Sequence, residues 1–134
     1  MDDAAIEHRL RTFFQTRTPE VAAAYLFGSV ARGTSRMTSD VDVGVLLGRP
    51  PAATLADLPL DLEADLERLL GMSTQVVVLN RAPADLVHRV LRDGKLLVDR
   101  DPSARIAFEV RARNEFFDLK PVLDQYRTAR ASGR

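Results

Sequence analysis

The chain has 134 residues, 46% of them apolar and 28% charged, a size and composition suited to one small globular domain with a sizeable core. Nineteen basic residues balance nineteen acidic ones, so no direct nucleic-acid binding and no membrane attraction is expected from charge. The absence of cysteine excludes a disulfide framework, a thiolate zinc site and a cysteine nucleophile; no apolar run approaches the roughly 18 residues of a membrane span, and Met1-Asp2-Asp3 is acidic where a signal peptide is basic, so a cytoplasmic location is expected.

In chain order, Ile6, Leu10, Phe13 and Phe14 recur at helical spacing and predict a first helix that ends before Pro19. Residues 21–27 form a short apolar run stopping at Gly28, the pattern of a buried strand, and 28–39 read as a loop rich in Gly, Ser, Thr and Arg. Val41, Val43 and Val45 then alternate with Asp40, Asp42 and Gly44, a strand with valines on one face and carboxylates on the other. The chain breaks at 48–51. A helix is predicted over about 59–70, with Pro59 in its first turn, Leu62, Leu66, Leu69 and Leu70 on one face, and Gly71 just past its end. Its acids Asp61, Glu63, Asp65 and Glu67 read as a solvated face.

Thr74 to Leu79 is the third strand, Pro83 opens a short helix closed by Gly94, and Leu96 to Val98 is a small edge strand. Ser103 is placed as the cap of a long final helix with Ile106, Val110 and Phe117 inward, and Pro121 is expected to kink or restart it before Tyr126. The fold class is therefore α/β (α+β), a small mixed sheet flanked by helices. A single domain over 1–134 is expected, with its core over about 1–100 and a helical segment over about 103–131.

The stretch that carries chemistry runs Gly28-Ser29-Val-Ala-Arg32-Gly33 and, after a short loop, Ser39-Asp40-Val-Asp42. A glycine ending a strand lets backbone approach a ligand, and Ser29 adds a hydroxyl and an N–H for a phosphate oxygen. Asp40 and Asp42 share one side of a strand, where two like charges need a cation between them. Hard oxygen donors favour Mg²⁺, which prefers a few carboxylates plus phosphate oxygens. A phosphate-gripping turn beside such a pair is equipment for phosphoryl or nucleotidyl transfer. Arg32 and Arg36 in the loop are candidate phosphate contacts, and 17 of the 19 bases are arginine, a preference read mainly as compositional bias.

These residues resemble the signature of the DNA polymerase β-like nucleotidyltransferase superfamily, and Gly-Ser-x-Ala-Arg-Gly with Ser-Asp-x-Asp resembles its minimal nucleotidyltransferase (MNT) branch. The resemblance implies a nucleotidyltransferase fold in which Gly28, Ser29, Arg32 and Ser39 bind ATP while Asp40 and Asp42 are catalytic and hold Mg²⁺. In that family a third carboxylate on the next core strand completes the site. Aligning Val76-Val-Val-Leu-Asn80 with that strand puts Gln75 at the position, a neutral side chain that cannot act as a general base, so reduced activity is expected. Glu109 is the other acid considered for the role.

Minimal members resemble antitoxins paired with a HEPN RNase toxin, which they silence by binding and by transferring AMP to a toxin tyrosine. A HEPN partner and adenylyl transfer are therefore implied here. Two alternatives stand beside this: a lapsed MNT-fold protein that neutralises its toxin by binding alone, and a small-molecule nucleotidyltransferase.

Overall fold

Val41, Val43 and Val45 point to one side of their strand, and Asp42, Gly44 and Leu46 to the other, and this alternation divides the molecule into two cores. The computed structural model describes residues 1–36, 38–48 and 58–131, apart from the side chains of residues 123 and 128–131. The predicted break at 48–51 lies outside these residues beyond Gly48.

The element order is α1 (Asp3–Thr16), β1 (Val21–Phe27), α2 (Gly28–Arg32), β2 (Val41–Leu47), α3 (Leu58–Leu70), β3 (Thr74–Val78), a 3₁₀ turn (Leu79–Arg81), α4 (Ala84–Asp93), β4 (Lys95–Asp99) and α5 (Pro102–Ala131). The four strands form one mixed sheet in the order β3-β2-β1-β4. β1 runs antiparallel to β2 and β4, while β2 and β3 are parallel, joined through α3. On one face, Ile6, Leu10 and Phe14 of α1 and Leu62 and Leu66 of α3 close over the valines. On the other, α4 and α5 pack Val87, Val90, Phe108 and Ala112 against Ala23, Tyr25 and Leu46. The mixed sheet flanked by helices is the architecture expected.

Local chemistry explains the ends. The Asp2 carboxylate accepts from the Ala5 N–H at 2.8 Å and caps α1. Asn80 lies beside the end of β2 and exchanges two hydrogen bonds with the Leu47 backbone (2.9 and 3.0 Å), continuing the ladder with an amide side chain. The sheet's outer strands are also engaged by side chains. Glu63 of α3 accepts from the Val76 N–H at 2.9 Å, and Arg11 of α1 donates to the Leu96 carbonyl at 2.8 Å. Glu63 is thus committed to the sheet rather than simply solvated.

Several expectations need correction. The segment 28–39 opens as a short helix, α2, because Gly33 in the left-handed region (φ +72°) lets its N–H reach back to the Ser29 and Val30 carbonyls. Leu79 belongs to the 3₁₀ turn, not the strand. Leu69 is turned outward, leaving Leu62, Leu66 and Leu70 as the inner row of α3. Asp101, not Ser103, caps α5 by accepting from the Ala104 N–H at 3.1 Å. The helix runs through Pro121 without restarting.

The inner face of α5 also differs from the expectation. Phe108, Ala112 and Phe116 are buried, whereas Ile106, Val110 and Phe117 are 51%, 50% and 67% exposed. The two apolar stripes lie about 140° apart around the helix. Charge decides between them: Arg105 and Glu109 share the Phe108 face. There Arg105 bonds Asp99 at 2.9 Å and Glu109 at 3.0 Å, while the Tyr25 hydroxyl donates to Glu109 at 2.8 Å. These polar residues interrupt the true inner stripe and make the outer one look cleaner.

This assignment predicts unequal costs of truncation. Phe108→Ala should lower unfolding free energy by about 3 kcal/mol, as for a buried aromatic, and Ile106→Ala by less than about 1 kcal/mol. Urea denaturation of the two variants measures both; equal losses would mean that α5 is rotated.

Candidate active site

The antiparallel register of β1 and β2 brings the two halves of the motif together. Phe27 pairs with Asp42, so the residue that follows Phe27, Gly28, falls directly beside the Asp42 carboxylate. Gly28 has φ +77°, and a Cβ there would stand 2.3 Å from Asp42 Oδ2. Two separate constraints therefore require glycine: the left-handed backbone and the space the carboxylate occupies.

Across the sheet on the other side, Asp42 pairs with Gln75 in the parallel β2–β3 register. Paired residues of neighbouring strands project to the same face, so Gln75 flanks Asp42. The position expected for a third carboxylate, Gln75, therefore lies in register with Asp42 on the next strand. Asp40 lies just ahead of β2, exposed, one alternation from Asp42. Among the described residues no three His, Cys, Asp or Glu side chains cluster as a metal site. The local donor set is two carboxylates with a neutral carboxamide next to them.

A cleft of about 380 Å³ opens here, lined by Gly28, Ser29, Arg32 and Asp42 from the motif. Its opposite wall is α4, through Leu86, Arg89, Arg92 and Asp93. Ser39 is placed differently: its hydroxyl accepts from the Arg36 N–H at 2.8 Å and its own N–H donates to the Arg36 carbonyl at 2.9 Å, closing the loop. Ser39 and Arg36 do not line the cleft. Glu109 is held on the α5 side by Tyr25 and Arg105 and lies outside it. The α4 residues carry no motif; the local signal was two arginines three apart on the polar face of an amphipathic helix.

The electrostatics are those of a site that favours cations and anions side by side. Asp42 is pushed above the ordinary carboxylate value, first by burial and then by the Asp40 charge, with Arg32 opposing. Arg92 and Asp93 form a two-point pair, Nε to Oδ1 at 3.0 Å and Nη2 to Oδ2 at 2.8 Å, and that hydrogen bonding holds Asp93 below the usual range. Two carboxylates of which one resists ionisation, next to guanidinium groups, can hold a divalent cation with its phosphate ligands.

Two outcomes follow. Gly28→Ala should destabilise the fold by about 1–3 kcal/mol and displace Asp42, because the new methyl cannot share its space; thermal melting and divalent-cation titration would show both effects. Because Asp42 holds its proton more tightly folded than unfolded, its ionisation costs stability. That cost is absent below the usual value of 3.8, grows as pH rises through it, and is complete above the raised folded value. In chelator at pH 7, Asp42→Asn should therefore raise the melting temperature, and the gain should vanish toward pH 3; a fall at pH 7 would mean that Asp42 is stabilised by its surroundings.

Comparison with known proteins places this geometry. The family model for polymerase beta nucleotidyltransferases matches residues 8–103. The protein adenylyltransferase MntA of Shewanella oneidensis is 30% identical over 92 residues, which make up 68% of this chain and 63% of that protein. Among solved structures, a toxin–antitoxin complex with AMP-PNP contains a chain of 22% identity and TM-score 0.70, aligned over 90% of this chain and 97% of that one. The Shewanella oneidensis complex of a tri-AMPylated HEPN toxin with an MNT antitoxin contains another, at 20% identity and TM-score 0.65, over 92% and 98% of the two chains. At those identities the structural likenesses show a shared fold, and with the family match over 8–103 they lead to one conclusion: the chain belongs to the polymerase beta nucleotidyltransferase family.

Proposed function

We propose that this chain is an adenylyltransferase-type antitoxin: one minimal nucleotidyltransferase domain that binds a HEPN RNase toxin in the cytoplasm and transfers AMP from ATP to a toxin tyrosine. The observation that carries this is the Asp42 carboxylate seated against Gly28, with Asp40 one alternation away and the Ser29–Arg32 turn lining the same cleft. The similarity to MntA, and the toxin–antitoxin complexes with AMP-PNP and a tri-AMPylated toxin, support the choice of substrate and partner.

In this reading the acceptor oxygen attacks the α-phosphorus of ATP, the bond to the pyrophosphate oxygen breaks, and the tyrosine proton leaves to water. Asp40 and Asp42 hold Mg²⁺, for which their hard oxygens and mutual repulsion are suited; when bound it supplies charge neutralisation at the reacting phosphate. Gly28 leaves room for Asp42 to keep its orientation, and Ser29 and Arg32 hold phosphate oxygens. Gln75, next to Asp42, offers a carbonyl oxygen but no charge and no proton acceptor. No helix among the described residues is long and apolar enough to cross a membrane.

Gln75 also favours a second reading, in which the chain neutralises its toxin by contact alone. One experiment separates the two: incubation with ATP labelled at the α-phosphate, Mg²⁺ and a HEPN protein from the neighbouring reading frame. Gln75→Asp should raise the rate of label transfer by about 10²-fold or more, the usual worth of one placed catalytic group, with Asp42→Asn as the inactive control. Transfer by Asp42→Asn equal to wild type would overturn the site. Toxin neutralisation without label transfer from either active-site version would favour the contact-only antitoxin.

A further inference from the structure

Arg89 stands on the α4 wall of the cleft, facing the space bounded by Gly28, Ser29 and Asp42. Among the described residues it makes no hydrogen bond and no ion pair. Its neighbours are differently placed. Arg92 is spent on Asp93 through two hydrogen bonds. Arg32 acts on Asp42 and on Asp93. With Asp93 neutralised by Arg92, the wall of the cleft farther along the chain from the motif retains one uncommitted guanidinium.

We infer that Arg89 is the docking group for the β- and γ-phosphates of the nucleotide, and for the pyrophosphate that leaves. The inference rests on the nucleotidyl-transfer reading and adds to it a residue outside the Gly-Ser and Asp-x-Asp motifs. The reacting α-phosphate belongs beside the carboxylate pair, so the rest of the triphosphate extends into the cleft. The α4 wall suits anionic oxygens rather than a base: apart from Leu86, its lining side chains are Arg89, Arg92 and Asp93. A guanidinium presents several N–H donors in a plane and binds phosphate oxygens two at a time. Arg32 from α2 and Arg89 from α4 then grip the polyphosphate from two elements, which fixes its direction as well as its charge. The bond broken in the transfer is the one to this held pyrophosphate, so the same guanidinium neutralises the charge that develops on the leaving group.

Calorimetric titration with Mg–ATP, Mg–pyrophosphate and AMP tests this on wild type, Arg89→Ala and Arg89→Lys. Arg89→Ala should weaken Mg–ATP and Mg–pyrophosphate at least tenfold and change AMP affinity less than about twofold, and Arg89→Lys should recover part of the loss as a point charge without the fork. Arg89 is exposed, so the variants should keep the wild-type melting temperature, which is measured alongside. Equal weakening of all three ligands, or no weakening of pyrophosphate, overturns the role of Arg89 while leaving the nucleotide site standing. A wild-type protein that binds neither Mg–ATP nor Mg–pyrophosphate overturns the nucleotidyl-transfer reading and this inference together.

Discussion

A half-buried carboxylate needs a neighbour that leaves it room, and in this chain that neighbour is a backbone with no side chain. Asp42 points away from the valine core, and one of its oxygens occupies the space that a side chain on Gly28 would take. The register Phe27–Asp42 is what delivers the glycine there, so strand pairing brings the two motif halves together across the loop between them. Every other feature of the candidate site is arranged around this contact. The α2 turn begins at the same glycine, Gln75 arrives through the next strand, and α4 supplies the facing wall.

The second constraint is the attachment of α5. Tyr25 sits in the middle of β1, two residues from the end that builds the site, and its hydroxyl is tied to Glu109. Burial and the neighbouring Glu109 raise its proton affinity well above the ordinary tyrosine value, so it remains a hydrogen-bond donor at any physiological pH. Arg105 then joins Glu109 to Asp99 on β4. The long helix is therefore keyed to two strands by a polar chain, while its other face carries exposed Ile106, Val110 and Phe117.

The elements whose apolar spacing is regular were legible in the sequence. α1, the β2 alternation and the β3 strand follow from Ile6–Leu10–Phe14, Val41–Val43–Val45 and Val76 with its neighbours. The Gly28–Asp42 partnership was legible because both halves lie on strands that must pair as neighbours. What failed was the phase of α5, since two apolar stripes compete there and the correct one contains Arg105 and Glu109. The α4 wall was not legible either: Arg89 and Arg92 become part of the site only when the chain folds back across β1, and two arginines three apart on a helix's polar face do not by themselves say what they face.

The two side chains that reach the outer strands have a further consequence. Glu63 occupies the Val76 N–H on one border of the sheet, and Arg11 occupies the Leu96 carbonyl on the other. An incoming strand would have to displace a hydrogen-bonded side chain at each border to complete its ladder, which discourages accretion of extended segments at either margin. The same blocking confers protection against edge-to-edge aggregation, which a small sheet of only four strands would otherwise invite.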